Sequence, residues 1–518
     1  MFSKLPPSTL TAIIVSLGGF IFGFDASVIS GAVGFVSVEF SLNELQQGWV
    51  VGAPTLGAVI GSLIAGPSAD ALGRKRVLMI IAGLYVISAG LSAFAPTYEA
   101  LVAARFIGGL AFASLVLAPM YIAEISPSEM RGKMISINQF NIVVGFSVAY
   151  FANYYLLQLS QSELTWVQSW GVDNHVWRWM LGLELIPAII YLFMLTTIPR
   201  SPRWLVSKGH FEEAKSVLQK LFPQQSADQL IAEMRGASDE QLPPLKARLA
   251  KLFSPAMKLI LAVGLVIGVA QQITGVNAVY FYAPSIFEQS GVGQDAAFSQ
   301  AIWVGIINVI FTVFAMLLID KLGRKPLLIG GLAGVFISMS VAAYGFHQAY
   351  YELTEQSVQQ VSNEQVLNKV QPLLNMRYES DVDYKNALKN VLSEDEYRVS
   401  QAQLMQAAAN MDAQLILFGI LGFVASFAIS LGPVMWVLLA EIFPNDLRGV
   451  GIAFTGLVNS AVSFTVQLVF PWELANWGAS VTFLIYGVFA LVGLVVIQRL
   501  LPETKGKNLE QVQQAFQR

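Results

Sequence analysis

At 518 residues, 55% hydrophobic and only 13% charged against roughly 25% in soluble domains, the chain has too little polar material to cover an ordinary soluble surface. Its formal net charge of −3, with the positive charges in short clusters rather than stripes, offers no basic face for nucleic acid. The absence of cysteine excludes disulfides, Cys-ligated metal and thiol chemistry.

About 20 apolar helical residues cross a bilayer core. Windows that meet this rule fall at 9–33, 47–69, 77–96, 100–123, 134–158, 178–198, 257–287, 298–319, 326–346, 412–440, 450–471 and 478–499, which predicts twelve spans. From Thr9 to Val36 only Asp25 is charged, and no small-residue cleavage site closes the stretch, so it reads as a permanent span rather than a removed leader. Two polar segments interrupt the pattern. Residues 204–256 read as a linker with amphipathic helices such as Phe211–Phe222; residues 347–411 read as an external, helical insert with no motif that names a function. The mean hydropathy of +0.58 agrees with this layout.

Lys and Arg set the orientation. Gly73–Arg76, Arg131–Lys133, Pro199–Trp204, Lys321–Lys325, Arg448 and the tail at Arg499, Lys505 and Lys507 are positive. The alternate junctions carry Glu39, Glu44, Glu99, Glu163, Asp173, Glu288, Asp295 and Glu473, with Arg178 as the basic residue among the short ones, which predicts that both termini are cytoplasmic. The chain also repeats itself. Asp70-Ala-Leu-Gly-Arg-Lys returns at Asp320, and Glu124-Ile-Ser-Pro-Ser-Glu-Met-Arg131 returns as Glu441-Ile-Phe-Pro-Asn-Asp-Leu-Arg448. The expected layout is therefore an N-terminal six-helix half (1–203), a cytoplasmic linker (204–256) and a C-terminal six-helix half (257–518) that holds the insert. Parallel repeats of this kind put a substrate site between halves and support alternating access.

Ionisable groups on spanning helices are costly and normally face a partner. At ~1.5 Å per residue, Asp25 sits roughly 24 Å along its helix from Thr9, and Arg105 roughly 28 Å from the inner end of its own at Glu124. The depths match, so a contact is expected; it reads either as a proton-coupling pair or as a static salt bridge. Glu124 with Arg131, Glu441 with Arg448, and Asp70 and Asp320 with Arg74 and Arg324 read as a cytoplasmic gate of ion pairs, the alternative being topology signalling alone. Gln139, Gln271, Gln272, Asn277, Asn308 and Asn459 offer donors and acceptors inside spans, for a polyhydroxylated neutral ligand or for interhelical bonds. Trp436 could stack on a sugar ring, and Gly275 with Pro284 permits a break in span 7. Glu184 reads as a structural partner for inner-mouth arginines, and His175, His210 and His347 as isolated. No phosphate loop, metal cluster or nucleophilic triad appears.

These motifs in this order resemble the sugar porter family of the major facilitator superfamily over essentially the whole chain outside 347–411. The resemblance rests on Gly23–Ala32, Asp70–Arg76, Arg105–Gly109, Pro119–Lys133, Ser201–Leu205, Gln271–Pro284, Asp320–Leu327, Gly432–Gly449 and Pro502–Gly506, and the pattern is similar to bacterial proton-coupled sugar symporters of the xylose type. It implies an all-α membrane protein of the major facilitator fold. By this resemblance Asp25 is the proton-coupling aspartate and Arg105 its partner. Gln139, Gln271, Gln272, Asn277, Asn308, Trp436 and Asn459 stand at sugar-contacting positions, and the charged cytoplasmic residues at the inner gate. Four departures bear on the gate and on sugar choice: Arg200 replaces a usual acid, Phe146 and Ser460 replace a glutamine and a tryptophan of xylose-type members, and Phe281 replaces a common tyrosine.

The expected protein is a monomeric, multi-pass protein of a bacterial inner membrane that imports a monosaccharide with a proton, without cofactor, metal or nucleic-acid partner. A facilitative uniporter and a membrane sugar sensor are the alternatives; an enzyme lacks its constellation.

Overall fold

The computed structural model describes residues 6–127, 130–223, 225–238, 243–358, 361, 364–505, 507, 511 and 516. Among them twelve helices are long and apolar enough to cross a membrane. Spans 1–6 are Pro7–Glu39, Glu44–Leu72, Arg74–Ala93, Tyr98–Ile125, Arg131–Ser160 and Val176–Thr197. Spans 7–12 are Pro255–Phe281, Gln294–Leu322, Arg324–His347, Ala413–Ile442, Arg448–Asn476 and Gly478–Leu500. Every predicted window overlaps one of these helices, though 77–96 and 257–287 run three and six residues past Ala93 and Phe281; other helices run a turn or more past their windows because a helix satisfies its own backbone and need not stop where its apolar face ends.

Several spans are discontinuous, and spans 7 and 10 break at Gly275 and Ser430, residues that weaken a helix. Span 7 stops at Ile273 and restarts at Val276, with Gly275 in the left-handed region at φ 86°. A Cβ there would come within 2.3 Å of the Tyr486 ring, so only glycine permits this turn against span 12. After Tyr282 the chain continues as the helix Ala283–Gln289, with Pro284 in its first turn, where a proline needs no amide. Span 10 breaks at Ser430. The repeated Gly-Arg-Lys corners also match in conformation: Gly73 (φ 88°) and Gly323 (φ 98°) start spans 3 and 9 in the same way.

By internal packing the chain forms two compact units. One takes the chain up to Ser27, then Ala53–Ala149 and Arg178–Ala247; the other takes Val28–Gly52, Tyr150–Trp177 and everything from Arg248. The ends of spans 1, 2 and 5 nearest junctions 39–44 and 160–176 thus pack with second-half helices rather than with the rest of their own. Within that unit the Trp49 and Phe464 rings meet edge to face at 5.3 Å, and the Tyr150 hydroxyl donates to the Tyr280 carbonyl at 2.6 Å. Linker helices Pro202–Ser207, Phe211–Leu221 and Ala227–Ser238 belong to the first unit. The amphipathic reading of Phe211–Phe222 is visible in the burial of Ala214, Val217, Leu218 and Leu221, one stripe of a 3.6-residue helix.

The insert is not wholly helical. Helices Glu364–Val370, Asp381–Val391 and Glu394–Ala408 are joined by a small antiparallel sheet, β1 (Tyr350–Glu352), β2 (Arg377–Tyr378) and β3 (Ala409–Asn410), in the order β2-β1-β3. Pairing β1 with β3 closes the insert at its two ends, a non-local contact invisible to helical periodicity. It has its own core around Tyr351, Leu353, Val366, Tyr384, Leu388 and Leu404, with Tyr351 stacked on Tyr384 at 5.7 Å. Lys385 pins it to the membrane helices: its ammonium binds Asp381 at 2.7 Å and donates to the Leu474 carbonyl of span 11 at 3.2 Å.

Candidate functional site

In the first unit Asp25 and Arg105 are 1% and 2% exposed, and Arg105 Nη1 is ion-paired with Asp25 Oδ1. The same nitrogen reaches the Asp25 carbonyl at 3.5 Å. Asp25 Oδ2 and Arg105 Nε have no hydrogen-bond partner. Oδ2 instead faces Gly108, where an added Cβ would lie 3.2 Å away and 2.5 Å from Ser88 Oγ. The pair is thus half satisfied, held in a pocket that a glycine keeps open. Breaking a buried pair by removing one partner costs about 3–5 kcal/mol.

Glu184 corrects an expectation. It is 2% exposed, lies within electrostatic reach of Asp25 and Arg105, and its Oε1 has no hydrogen-bond partner. The sequence reading assigned it to the inner-mouth arginines, whereas its charged neighbours here are Asp25 and Arg105. Gln139, on span 5 of this unit, is half-buried.

In the second unit four of the predicted amides meet. Asn459 Nδ2 donates to Gln271 Oε1 and to the Gly268 carbonyl, both at 2.8 Å. Gln272 Nε2 donates to Asn459 Oδ1 (3.2 Å) and Gln271 Oε1 (3.3 Å), and Asn277 Nδ2 donates to Gln272 Oε1 (2.9 Å) and Ser463 Oγ (2.6 Å). Gln271 Nε2 donates to the Leu431 carbonyl at 3.0 Å, beside the span 10 break. The cluster reaches Gln467, whose Nε2 donates to Ser463 at 2.8 Å. Ser463 and Gln467 were not singled out from sequence, although their four-residue spacing from Asn459 puts all three on one helix face. Asn308 accepts from Thr312 at 3.5 Å on its own helix and makes no such bond to the cluster. Trp436 is 46% exposed, its ring 3.8 Å from where a Cβ on Gly456 would stand, near one turn before Asn459.

The repeated charged motifs build matching clusters, one in each unit. Arg74 pairs with Asp70 and Glu124, each at 3.0 Å, and Ser201 Oγ donates to Glu124. Arg324 pairs with Asp320 at 3.1 Å and Glu441 at 2.7 Å, and Thr504 Oγ1 donates to Glu441 at 2.7 Å. Pairing within these motifs differs from the simplest sequence reading: Glu124 and Glu441 take Arg74 and Arg324, while Arg131 is exposed and Arg448 donates to Asn445 Oδ1 at 2.6 Å. The Glu503 carboxylate accepts the Arg324 and Lys325 amides at 3.2 and 3.1 Å, capping span 9. Arg200, where an acid is usual, pairs with Glu213 of the linker at 3.4 Å.

Comparison with known proteins gives this geometry a context. The family model described as "Sugar (and other) transporter" matches residues 11–362 and 399–516. The arabinose-proton symporter of Bacillus subtilis is 31% identical, aligned over 98% of this chain and 94% of its own. The D-xylose-proton symporter of Escherichia coli K12 is 31% identical over 97% and 94%. The solved inward open xylose transporter XylE from E. coli superposes with a TM-score of 0.74 at 29% identity, covering 97% of this chain and 98% of that one. The chain therefore belongs to the sugar (and other) transporter family: it is a multi-pass integral membrane protein of the major facilitator fold that carries solute rather than transforming it.

Proposed function

We propose that this chain imports a monosaccharide together with a proton across a bacterial inner membrane by alternating access, with both termini and the Arg74 and Arg324 clusters on the cytoplasmic side. The observation that carries the coupling is Asp25: buried, tied to Arg105 through one oxygen, with its other oxygen unpartnered. A carboxylate so placed can accept a proton on Oδ2 and, once neutral, no longer holds the guanidinium by charge. Arg105 is then free to take another partner, and Glu184 stands within electrostatic reach. The sugar reading draws on the amide cluster of Gln271, Gln272, Asn277 and Asn459. Its donors and acceptors are hydrogen-bonded to one another, so they can be exchanged for sugar hydroxyls with little net loss. Gln139, Asn308 and Trp436 are proposed as further contacts, and the two clusters of Asp70, Arg74, Glu124 and Arg131 and of Asp320, Arg324, Glu441 and Arg448 as the inner gate. The names of the relatives, proton symporters of xylose and arabinose, point the same way.

Proteoliposomes test this. Wild-type protein is expected to take up sugar against a gradient with alkalinisation of the medium. Asp25→Asn is expected to lose uphill uptake yet keep sugar exchange. Full concentrative uptake by Asp25→Asn would end the coupling assignment, and sugar flux in wild type without proton movement would make the protein a uniporter.

A further inference from the structure

In the second unit a cavity of about 1330 Å³ opens between the insert and the neighbouring ends of spans 1, 2, 5, 6, 8 and 11, together with the helix that follows span 7. Part of its wall, from Lys385 to Arg398, falls in residues 363–398, which the family model leaves unmatched. The wall is firmly seated. A Cβ on Gly291 would come within 2.8 Å of Ala409 Cβ, and one on Gly293 within 3.0 Å of Gln406 Nε2, so the insert lies directly on the chain that leaves span 7.

The chemistry of the lining is selective. Nine of the lining residues are carboxamides, among them Gln289, Gln401 and Gln406. Carboxylates outnumber cations, and the cations are engaged: Lys385 is paired with Asp381, Arg398 with Glu394 at 3.5 Å, and Lys389 lies 3.9 Å from Glu44 and over the Tyr397 ring. An anion would find no free charge to bind. Gln289 Oε1 is buried and has no hydrogen-bond partner, an acceptor that a hydroxyl would satisfy. Dense amides with aromatic edges suit a neutral polyhydroxylated ligand. The chamber also exceeds the ~300–1,000 Å³ of ordinary small-molecule sites, more space than one sugar ring fills.

We propose that the insert completes a saccharide-binding vestibule on the outer face, separate from the central amide cluster, that takes a neutral saccharide of more than one ring. The ligand class rests on the sugar-transport reading above; the chamber and its walls do not. Purified full-length protein in nanodiscs, titrated by calorimetry with neutral gluco-, xylo- and arabino-saccharides of one to three rings, tests it. Wild type is expected to bind at least one di- or trisaccharide. Gln289→Leu, which removes the unpartnered acceptor, and Ala402→Trp, which fills the chamber from an exposed lining position, are each expected to weaken that binding about tenfold or more. Asn459→Ala is expected to spare it while weakening binding of a single-ring sugar. The vestibule is overturned if wild type binds single-ring sugars but nothing larger, or if larger saccharides bind equally well to both chamber variants. Absence of binding by any saccharide would sink the sugar reading along with it.

Discussion

Asn459 donates two hydrogen bonds to span 7 and accepts a third from it, and it also donates to Met435 Sδ of span 10 at 3.7 Å, so its side chain ties spans 7, 10 and 11 while keeping its polar edge in the cluster. Asn459→Ala leaves the Gly268 carbonyl and Gln272 Nε2 each short of a partner, a penalty of about 1–3 kcal/mol per buried group. If the cluster holds sugar and Asp25 couples the proton, the variant raises the KM for sugar by roughly 10–100-fold while sugar-driven proton uptake persists at saturating sugar; transport assays over a sugar series read both. Asp25 is held differently, by one ion pair and a steric gap over Gly108 rather than by a mesh of bonds. Charge rarity made Asp25 and Arg105 legible in the sequence, since each is the lone charge in its predicted window. Glu184 escaped because its neighbours Asp25 and Arg105 stand on spans 1 and 4, and position along span 6 does not say which helices it faces.

At the scale of single elements, the bend in span 7 rests on one residue. Gly275→Ala would place a methyl 2.3 Å from the Tyr486 ring at a φ of 86°, and both the strain and the clash oppose folding. The expected loss is about 2–3 kcal/mol, visible as a lower melting temperature in detergent, with Gly330→Ala, whose Cβ meets nothing within 4 Å, as the neutral control. The insert offers a pH test. Glu396 accepts from Lys369 and closes a capping box with Ser393, which together hold its carboxyl down at about 2. A depressed carboxylate contributes stability above its unfolded value of 4.5 and loses it as pH falls toward 2. Glu396→Gln is therefore expected to speed hydrogen exchange of helix Glu394–Ala408 at neutral pH and to match wild type near pH 2. Equal exchange at neutral pH would show that the cap contributes nothing.

Across the whole molecule, the proposed alternating access would require first-half and second-half helices to separate and rejoin at each face. The second unit holds one such junction: span 2 meets span 11 through Trp49 and Phe464, and span 5 meets the broken span 7 through Tyr150 and the Tyr280 carbonyl. With no cysteine anywhere in the chain, a Trp49→Cys, Phe464→Cys pair supplies the only thiols. Oxidative or bifunctional cross-linking of that pair is expected to stop net sugar transport, and reduction of the disulfide to restore it. Transport that continues unabated in a fully cross-linked sample would mean that these helices need not part.

Hydropathy, charge bias and motif repetition were enough to read twelve spans, the twofold repeat and the lone buried charges, because a bilayer imposes its rules residue by residue: apolar length, positive junctions, and a severe cost for an unpaired charge. Tertiary structure alone decided the pairings. Glu124 goes to Arg74 rather than Arg131, four amides gather while Asn308 stays on its own helix, and the insert closes with a sheet because β1 meets β3 across some sixty residues. Those choices depend on distances between segments remote in sequence, which no local pattern encodes.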